Sequence, residues 1–230
     1  MRFDFDILTF DCYGTLIDWE TGLVRAFAPV LAAHGVTAAD EDVLARYARH
    51  EAAAEAGPYL TYREVVARGL DGVAEELGFT PTPAERKAFG AAVADWPAFA
   101  DSAAALARLA TRFRLGVITN CDDDLFAASN AKLGVAFDWI VTAQQAGAYK
   151  PAARPFELAF ERLQMPRERI LHVAQSLFHD HVQARRLGLT SVWIDRHGDR
   201  EGSGATPPAE AAPDARFPDM ASFAAAATGG

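Results

Sequence analysis

The sequence predicts an α/β protein: a parallel sheet covered by helices on both faces and interrupted after its first strand by an all-helical insertion. Three observations carry this. Apolar runs of strand length end on polar or charged residues, at 7–10 before Asp11, 115–118 before Thr119 and Asn120, and 170–174 before Gln175 and Ser176. Helical patterns separate these runs, and strands that alternate with helices build parallel sheets. Residues 19–96 are nearly all helical in pattern, rich in Ala, Glu and Arg.

Taken in order, the first strand is "ILTF" at 7–10. The insertion follows, broken at "EAGPY" (55–59) and "TPTP" (80–83). Helical patterns at 103–110, 124–133, 155–163 and 179–187 alternate with the remaining strands, including shorter ones at 139–141 and 191–194. Gly134 and Gly188 are the expected helix stops. The stretch 198–215, "GDREGSGATPPAEAAPDA", is rich in Gly, Pro and Ala and is expected to be a mobile loop. The final "MASFAAAA" reads as a short closing helix. The division is therefore a core of 1–18 and 97–230 with an inserted helical unit of 19–96. Ligands of such sheets bind outside the carboxyl ends of the strands, where the polar residues named above would converge.

Composition narrows the function. Half of the 230 residues are hydrophobic, an ordinary value for a globular enzyme. A net charge of −9 argues against a nucleic-acid partner, because neutralising phosphates needs clustered Lys and Arg. No apolar run approaches the roughly 20 residues of a membrane span. "MRFDFDI" carries acids where a signal peptide has a basic and then an apolar stretch. Cys12 and Cys121 make no disulfide framework, so a cytoplasmic location is the expectation.

The chemistry gathers at the strand ends. Asp11, followed by Gly14 and Thr15 in "DCYGT", presents a carboxylate beside turn amides. It is either a nucleophile that forms an ester intermediate or a turn aspartate that caps backbone amides. Thr119 and Asn120 offer a hydroxyl and an amide to a bound group, or cap a helix. Lys150 is one of only three lysines. Near Asp11 it would hold the carboxylate ionised and offset developing charge. Ser176 and Asp180 follow a buried strand, where Asp180 could orient Lys150, ligate a metal, activate water or simply favour a helix start. His172, His179 and His181 cluster in sequence without a zinc-binding spacing, and His179 is the best placed of them for catalysis.

Together these residues resemble the haloacid dehalogenase (HAD) superfamily of hydrolases. "DCYGT" matches its nucleophile motif, "VITN" the second, Lys150–Pro151 the third and "QSLFHD" the fourth, in the usual order. The resemblance implies a doubly wound, Rossmann-like core with a helical cap inserted after the first strand. Tyr13 then separates two branches. Superfamily phosphatases carry a second aspartate at that position as acid and base, and a phenol with a pKa near 10 cannot fill both roles. Halide leaves carbon without a proton. D-x-Y-G-T is similar to the 2-haloacid dehalogenase branch, in which the aspartate displaces halide.

The resemblance implies Asp11 as nucleophile, with Lys150 and Asp180 setting its charge and placing water. Cys12, Tyr13, Thr15, Thr119, Asn120 and Ser176 are the expected substrate-binding positions. Arg46 or Arg49 is the expected halide contact from the cap. The chain departs from that branch at Gln175 and Leu177, where serine and asparagine are usual, at Phe156 for tyrosine and at Thr119 for serine. The expected substrate is a small anionic 2-haloalkanoate, with no cofactor, no nucleic-acid or membrane partner, and a homodimer as the family-level expectation. The alternatives are a magnesium-dependent phosphatase, with Asp11, Tyr13 and Asp180 at the metal position, and a catalytically silent binding relative.

Overall fold

The computed structural model describes residues 2–198 and 209–229. After β1 (Ile7–Phe10) come four helices, α1 (Trp19–Ala33), α2 (Asp40–Glu55), α3 (Tyr62–Leu77) and α4 (Pro83–Ala91). The chain continues through α5 (Ser102–Leu109), β2 (Arg114–Thr119), α6 (Asp123–Leu133), β3 (Trp139–Thr142) and the single turn α7 (Ala143–Ala146). It closes with α8 (Ala153–Leu163), β4 (Ile170–Ala174), α9 (Val182–Arg186), β5 (Thr190–Ile194), β6 (Ala215–Phe217) and α10 (Met220–Thr228).

The six strands form one sheet in the order β3-β2-β1-β4-β5-β6, and every pairing is parallel. β1 is central, with β2 on one side and β4 on the other, so the strand order reverses there. A crevice beyond the carboxyl ends of these three strands follows from that reversal.

Side-chain alternation assigns the two faces. Ile7, Ile118 and Ile170 pack with Phe156, Ala159 and Leu163 of α8 and Ala184 of α9. Leu8, Phe10, Leu171 and Val173 face the other way, into a core shared with α5, α6, α10 and the helical insertion. Both faces of the strands are thus covered, which is why they read as nearly continuous apolar runs.

Local signals set the helix limits in the insertion. Asp18 caps α1 by accepting from Thr21 N at 3.2 Å and from the Thr21 hydroxyl at 2.7 Å. Reciprocal capping boxes, Thr61 with Glu64 and Thr82 with Glu85, start α3 and α4, and Pro83 occupies the first turn of α4. Gly134 ends α6 in the left-handed conformation, as its position predicts. The insertion leaves and returns at neighbouring points, since Asp18 N donates to Pro97 O at 2.8 Å and Ile17 pairs with Ala98.

Two elements differ from expectation. The helix expected over 179–187 begins as a wide π-type turn, Leu177–His181, in which Ser176 O accepts from both Asp180 N and His181 N. The Ser176 hydroxyl also accepts from His179 N at 3.0 Å, so the turn is built on a capping serine rather than on helical periodicity. The stretch 198–215 falls mostly outside the described residues, and Ala215 opens β6 instead of ending a loop. β6 is three residues long and has no apolar run to announce it.

Candidate active site

Asp11 is the first residue after β1, held by its own N–H donating to Val173 O on β4 at 3.0 Å. The chain then turns sharply, with Leu16 N and Ile17 N both donating to Cys12 O. Gly14 makes this turn possible at φ +90°, where a Cβ would lie 3.1 Å from Gln175 Oε1 and 3.2 Å from Trp19 Nε1. The amides of Cys12 and Tyr13 have no hydrogen-bond acceptor among the described residues. One oxygen of Asp11 accepts from Lys150 Nζ at 2.8 Å and the other from the Thr15 hydroxyl at 2.6 Å.

Lys150 is buried and all three of its ammonium hydrogens are used. They go to Asp11 Oδ1, to Asp180 Oδ1 at 2.6 Å and to Ile118 O at 2.9 Å. Burial alone would lower its pKa, but the two carboxylates hold it above the ordinary lysine value. Asp180 also receives His172 Nε2 at 2.9 Å, while His172 Nδ1 meets the Thr9 hydroxyl at 3.0 Å. Thr9 and His172 are partners in the β1–β4 register, and Phe156 packs edge-on to the imidazole. Burial opposes ionisation of Asp180, yet Lys150 and His172 keep its carboxyl well below the usual range. Burial pushes Asp11 up, with the Lys150 charge opposing that rise.

Asp11 opens onto a cavity of about 30 Å³, room for roughly two water molecules, and so for a substrate of few heavy atoms. Asn120, Lys150, Ser176 and His179 come to it from the strand ends, and Tyr13 from the turn. The helical insertion supplies Trp19, Glu51, Glu55 and Tyr62. Asn120 is clamped by Lys150, donating to its carbonyl at 3.0 Å and accepting from its N–H at 2.7 Å, and it also donates to Glu55 at 3.2 Å. The second Glu55 oxygen lies 3.4 Å from His179 Nε2. Burial would lower the His179 pKa, but Glu55 raises it above the ordinary value.

Of the residues expected from sequence, Asp11, Lys150, Asn120, Ser176 and Tyr13 line the cavity, while Asp180 is fully buried behind Lys150 and does not reach it. Thr15 stands behind the nucleophile, donating to Asp11 and accepting from Gln175 N at 2.8 Å. Cys12 and Thr119 are buried and do not line the cavity, and the Thr119 hydroxyl has no hydrogen-bond partner among the described residues. The Tyr13 hydroxyl turns away from Asp11 to Cys121 Sγ at 3.1 Å and Ser129 Oγ at 3.0 Å, leaving its ring against Tyr62 and Trp96.

Arg46 is not at the cavity. It pairs with Glu76 on the outer side of α2 and α3, where Arg49 and His50 join it. Glu51 and Glu55 escaped sequence reasoning, although their spacing of four from Tyr47 places all three on one helix face. Magnesium does not fit these residues well. Asp11 and Asp180 share one ammonium, Tyr13 faces elsewhere, and among the described residues no three His, Cys, Asp or Glu side chains cluster to hold a metal ion.

A carboxylate on a strand end, held by a buried lysine and facing a small cavity, is the arrangement expected of the hydrolase class that the sequence resembles. Residues 5–174 match the family model of haloacid dehalogenase-like hydrolases, and the chain belongs to that family. It is 27% identical over 199 residues to an (S)-2-haloacid dehalogenase of Pseudomonas putida, covering 82% of this chain and 84% of that one. An L-2-haloacid dehalogenase of Xanthobacter autotrophicus with chloropropionic acid covalently bound superposes with a TM-score of 0.79. That pair is 20% identical, with 96% of this chain and 97% of that one covered. A HAD-hydrolase of Bacillus subtilis bound to magnesium also superposes at 0.79, with 19% identity over the full length of both chains. The two structural likenesses establish the fold. Among the described residues no helix is long and apolar enough to cross a membrane.

Proposed function

We propose that this protein hydrolyses the carbon–halogen bond of a small 2-haloalkanoic acid through an ester formed on Asp11. A carboxylate oxygen of Asp11 attacks the halogen-bearing carbon, and the carbon–halogen bond breaks as the carbon–oxygen bond forms. Water then adds to the carboxyl carbon of the ester and releases the hydroxy acid. The unpartnered amide of Tyr13, with Ser176, is suited to receive the substrate's carboxylate. Lys150 keeps Asp11 ionised and offsets the charge that builds as water adds. Asp180, fully buried behind Lys150 and held by Lys150 and His172, fixes the ammonium that faces Asp11.

The observation that carries this reading is the direction of Tyr13. A phosphoester hydrolase needs an acid for its leaving alcohol at that position, and here a phenol is committed to Cys121 and Ser129. Burial also pushes that phenol well above its ordinary pKa. Halide requires no such acid, so the site can act without a cofactor. The 27% identical Pseudomonas relative supports the same substrate class.

The test is a parallel screen of halide release from haloacetates and 2-chloropropionate against phosphate release from phosphomonoesters, each with chelator and with magnesium. Halide release that survives chelation is the expected result. Phosphate release restored by magnesium, without halide release, would sink the proposal.

A further inference from the structure

The wall of the cavity supplied by the helical insertion is acidic, and that calls for its own account, which rests on the haloacid reading above. Glu51 on α2 is buried and lines the cavity with Asp11. Its Oε1 accepts from the hydroxyls of Tyr47 and Tyr62, each at 3.0 Å. Its Oε2 has no hydrogen-bond partner among the described residues and is left to the cavity. The ionisable groups around it are Glu55 on the same helix, His179 beyond β4, the two phenols, and Asp11 and Lys150 across the cavity. The Lys150 hydrogens are all taken, and His179 faces Glu55. No arginine lines the cavity among the described residues.

An ionised Oε2 here would be an unpaired charge against the rings of Trp19, Tyr13 and Tyr62, a costly arrangement. A protonated Oε2 is a donor directed at the substrate. Burial and the charge of Glu55 push this carboxyl up to about 8, the same direction.

We propose that Glu51, as a neutral carboxylic acid, contacts the substrate and donates its Oε2 hydrogen to the departing halide, the task an arginine was expected to perform. As Asp11 forms its bond to carbon, the electron pair of the carbon–halogen bond leaves with the halogen. The resulting anion accepts a hydrogen bond from Glu51, and the hydrogen stays on Oε2. One negative charge moves from Asp11 to the halide, with no oxidant or reductant. A hydroxyl donor helps a small, basic anion most, so fluoride gains more from it than chloride, and chloride more than bromide.

The experiment measures halide release from fluoroacetate, chloroacetate and bromoacetate by the wild type, Glu51→Leu and Glu51→Gln. Glu51→Leu should lower kcat about a hundredfold for the most basic halide that the wild type releases, and under tenfold for bromide. Wild-type kcat should fall as pH rises through about 8. Glu51→Gln keeps a donor that cannot ionise, so its profile should lack that fall. If Glu51→Leu does not fold, the wild-type and Glu51→Gln profiles decide. An equal loss on every halide, or an alkaline fall that persists in Glu51→Gln, would overturn the proposal while leaving the haloacid reading intact. No halide release by the wild type from any of the three would remove both.

Discussion

Lys150 donates to Asp11 at 2.8 Å while donating to Asp180 at 2.6 Å, so one buried ammonium bridges two buried carboxylates and is the counter-charge they share. Removing it leaves both acids facing each other without a counter-charge. Lys150→Met should lower kcat by at least about a thousandfold. It should also cost stability on the order of 3–5 kcal/mol in urea unfolding, the range for breaking a buried pair. Adding Asp180→Asn to it should return part of the stability and none of the rate. A single variant with less than tenfold loss would mean that the lysine is not part of the catalytic machinery.

Thr15 couples the nucleophile to β4, because its hydroxyl donates to Asp11 and accepts from Gln175 N. Thr15→Val preserves the shape and removes both bonds. The expected result is a drop in kcat of about 10- to 100-fold with KM nearly unchanged, since no contact with substrate is lost. A rise in KM alone would place Thr15 among the groups that bind substrate.

Glu51 makes stability depend on pH in a defined direction. Its carboxyl ionises near 4.5 in the unfolded chain and near 8 in the folded one. Between those values the folded state holds the extra proton, so stability falls as pH rises. The contribution is complete below 4.5 and lost once the pH passes about 8. Unfolding free energies of wild type and Glu51→Gln from urea titrations, followed from pH 5 to 9 (a range set by these values), should diverge by roughly a few kcal/mol in favour of the variant at the alkaline end. Parallel curves would show that Glu51 ionises normally.

The parts of this site that sequence reveals are those fixed to strand ends. An apolar run that stops at Asp11, or at Ile118 before Thr119 and Asn120, states both the strand and the edge where its next residues emerge. Ser176 and Asp180 are read in the same way, whereas Lys150, in the loop before α8, is marked by the scarcity of lysine and by the Lys150–Pro151 motif. The helical insertion is different, because its side chains reach the cavity through tertiary packing. Arg46 and Glu51 are five residues apart on α2, about 140° around the helix, so one faces out when the other faces in. Composition does not say which. Tyr47 marks the inward face, with Glu51 and Glu55 one and two turns further on, yet carboxylates on a helix ordinarily read as its solvated side. His172 was hidden for a related reason. Its partner Thr9 is adjacent only through the β1–β4 register, and the turn that swings Asp180 toward it follows from the Ser176 cap.

The central claim is that Asp11 becomes an ester, and isotope transfer tests it most directly. A single turnover with enzyme in excess over a 2-haloacid, in water enriched in oxygen-18, separates two routes. Ester formation at Asp11 predicts that the hydroxy acid carries unlabelled oxygen from the carboxylate, while the peptide containing Asp11 gains the heavy isotope by mass spectrometry. Heavy oxygen in the first hydroxy acid released, with Asp11 unlabelled, would show that water attacks the substrate directly and would contradict the account.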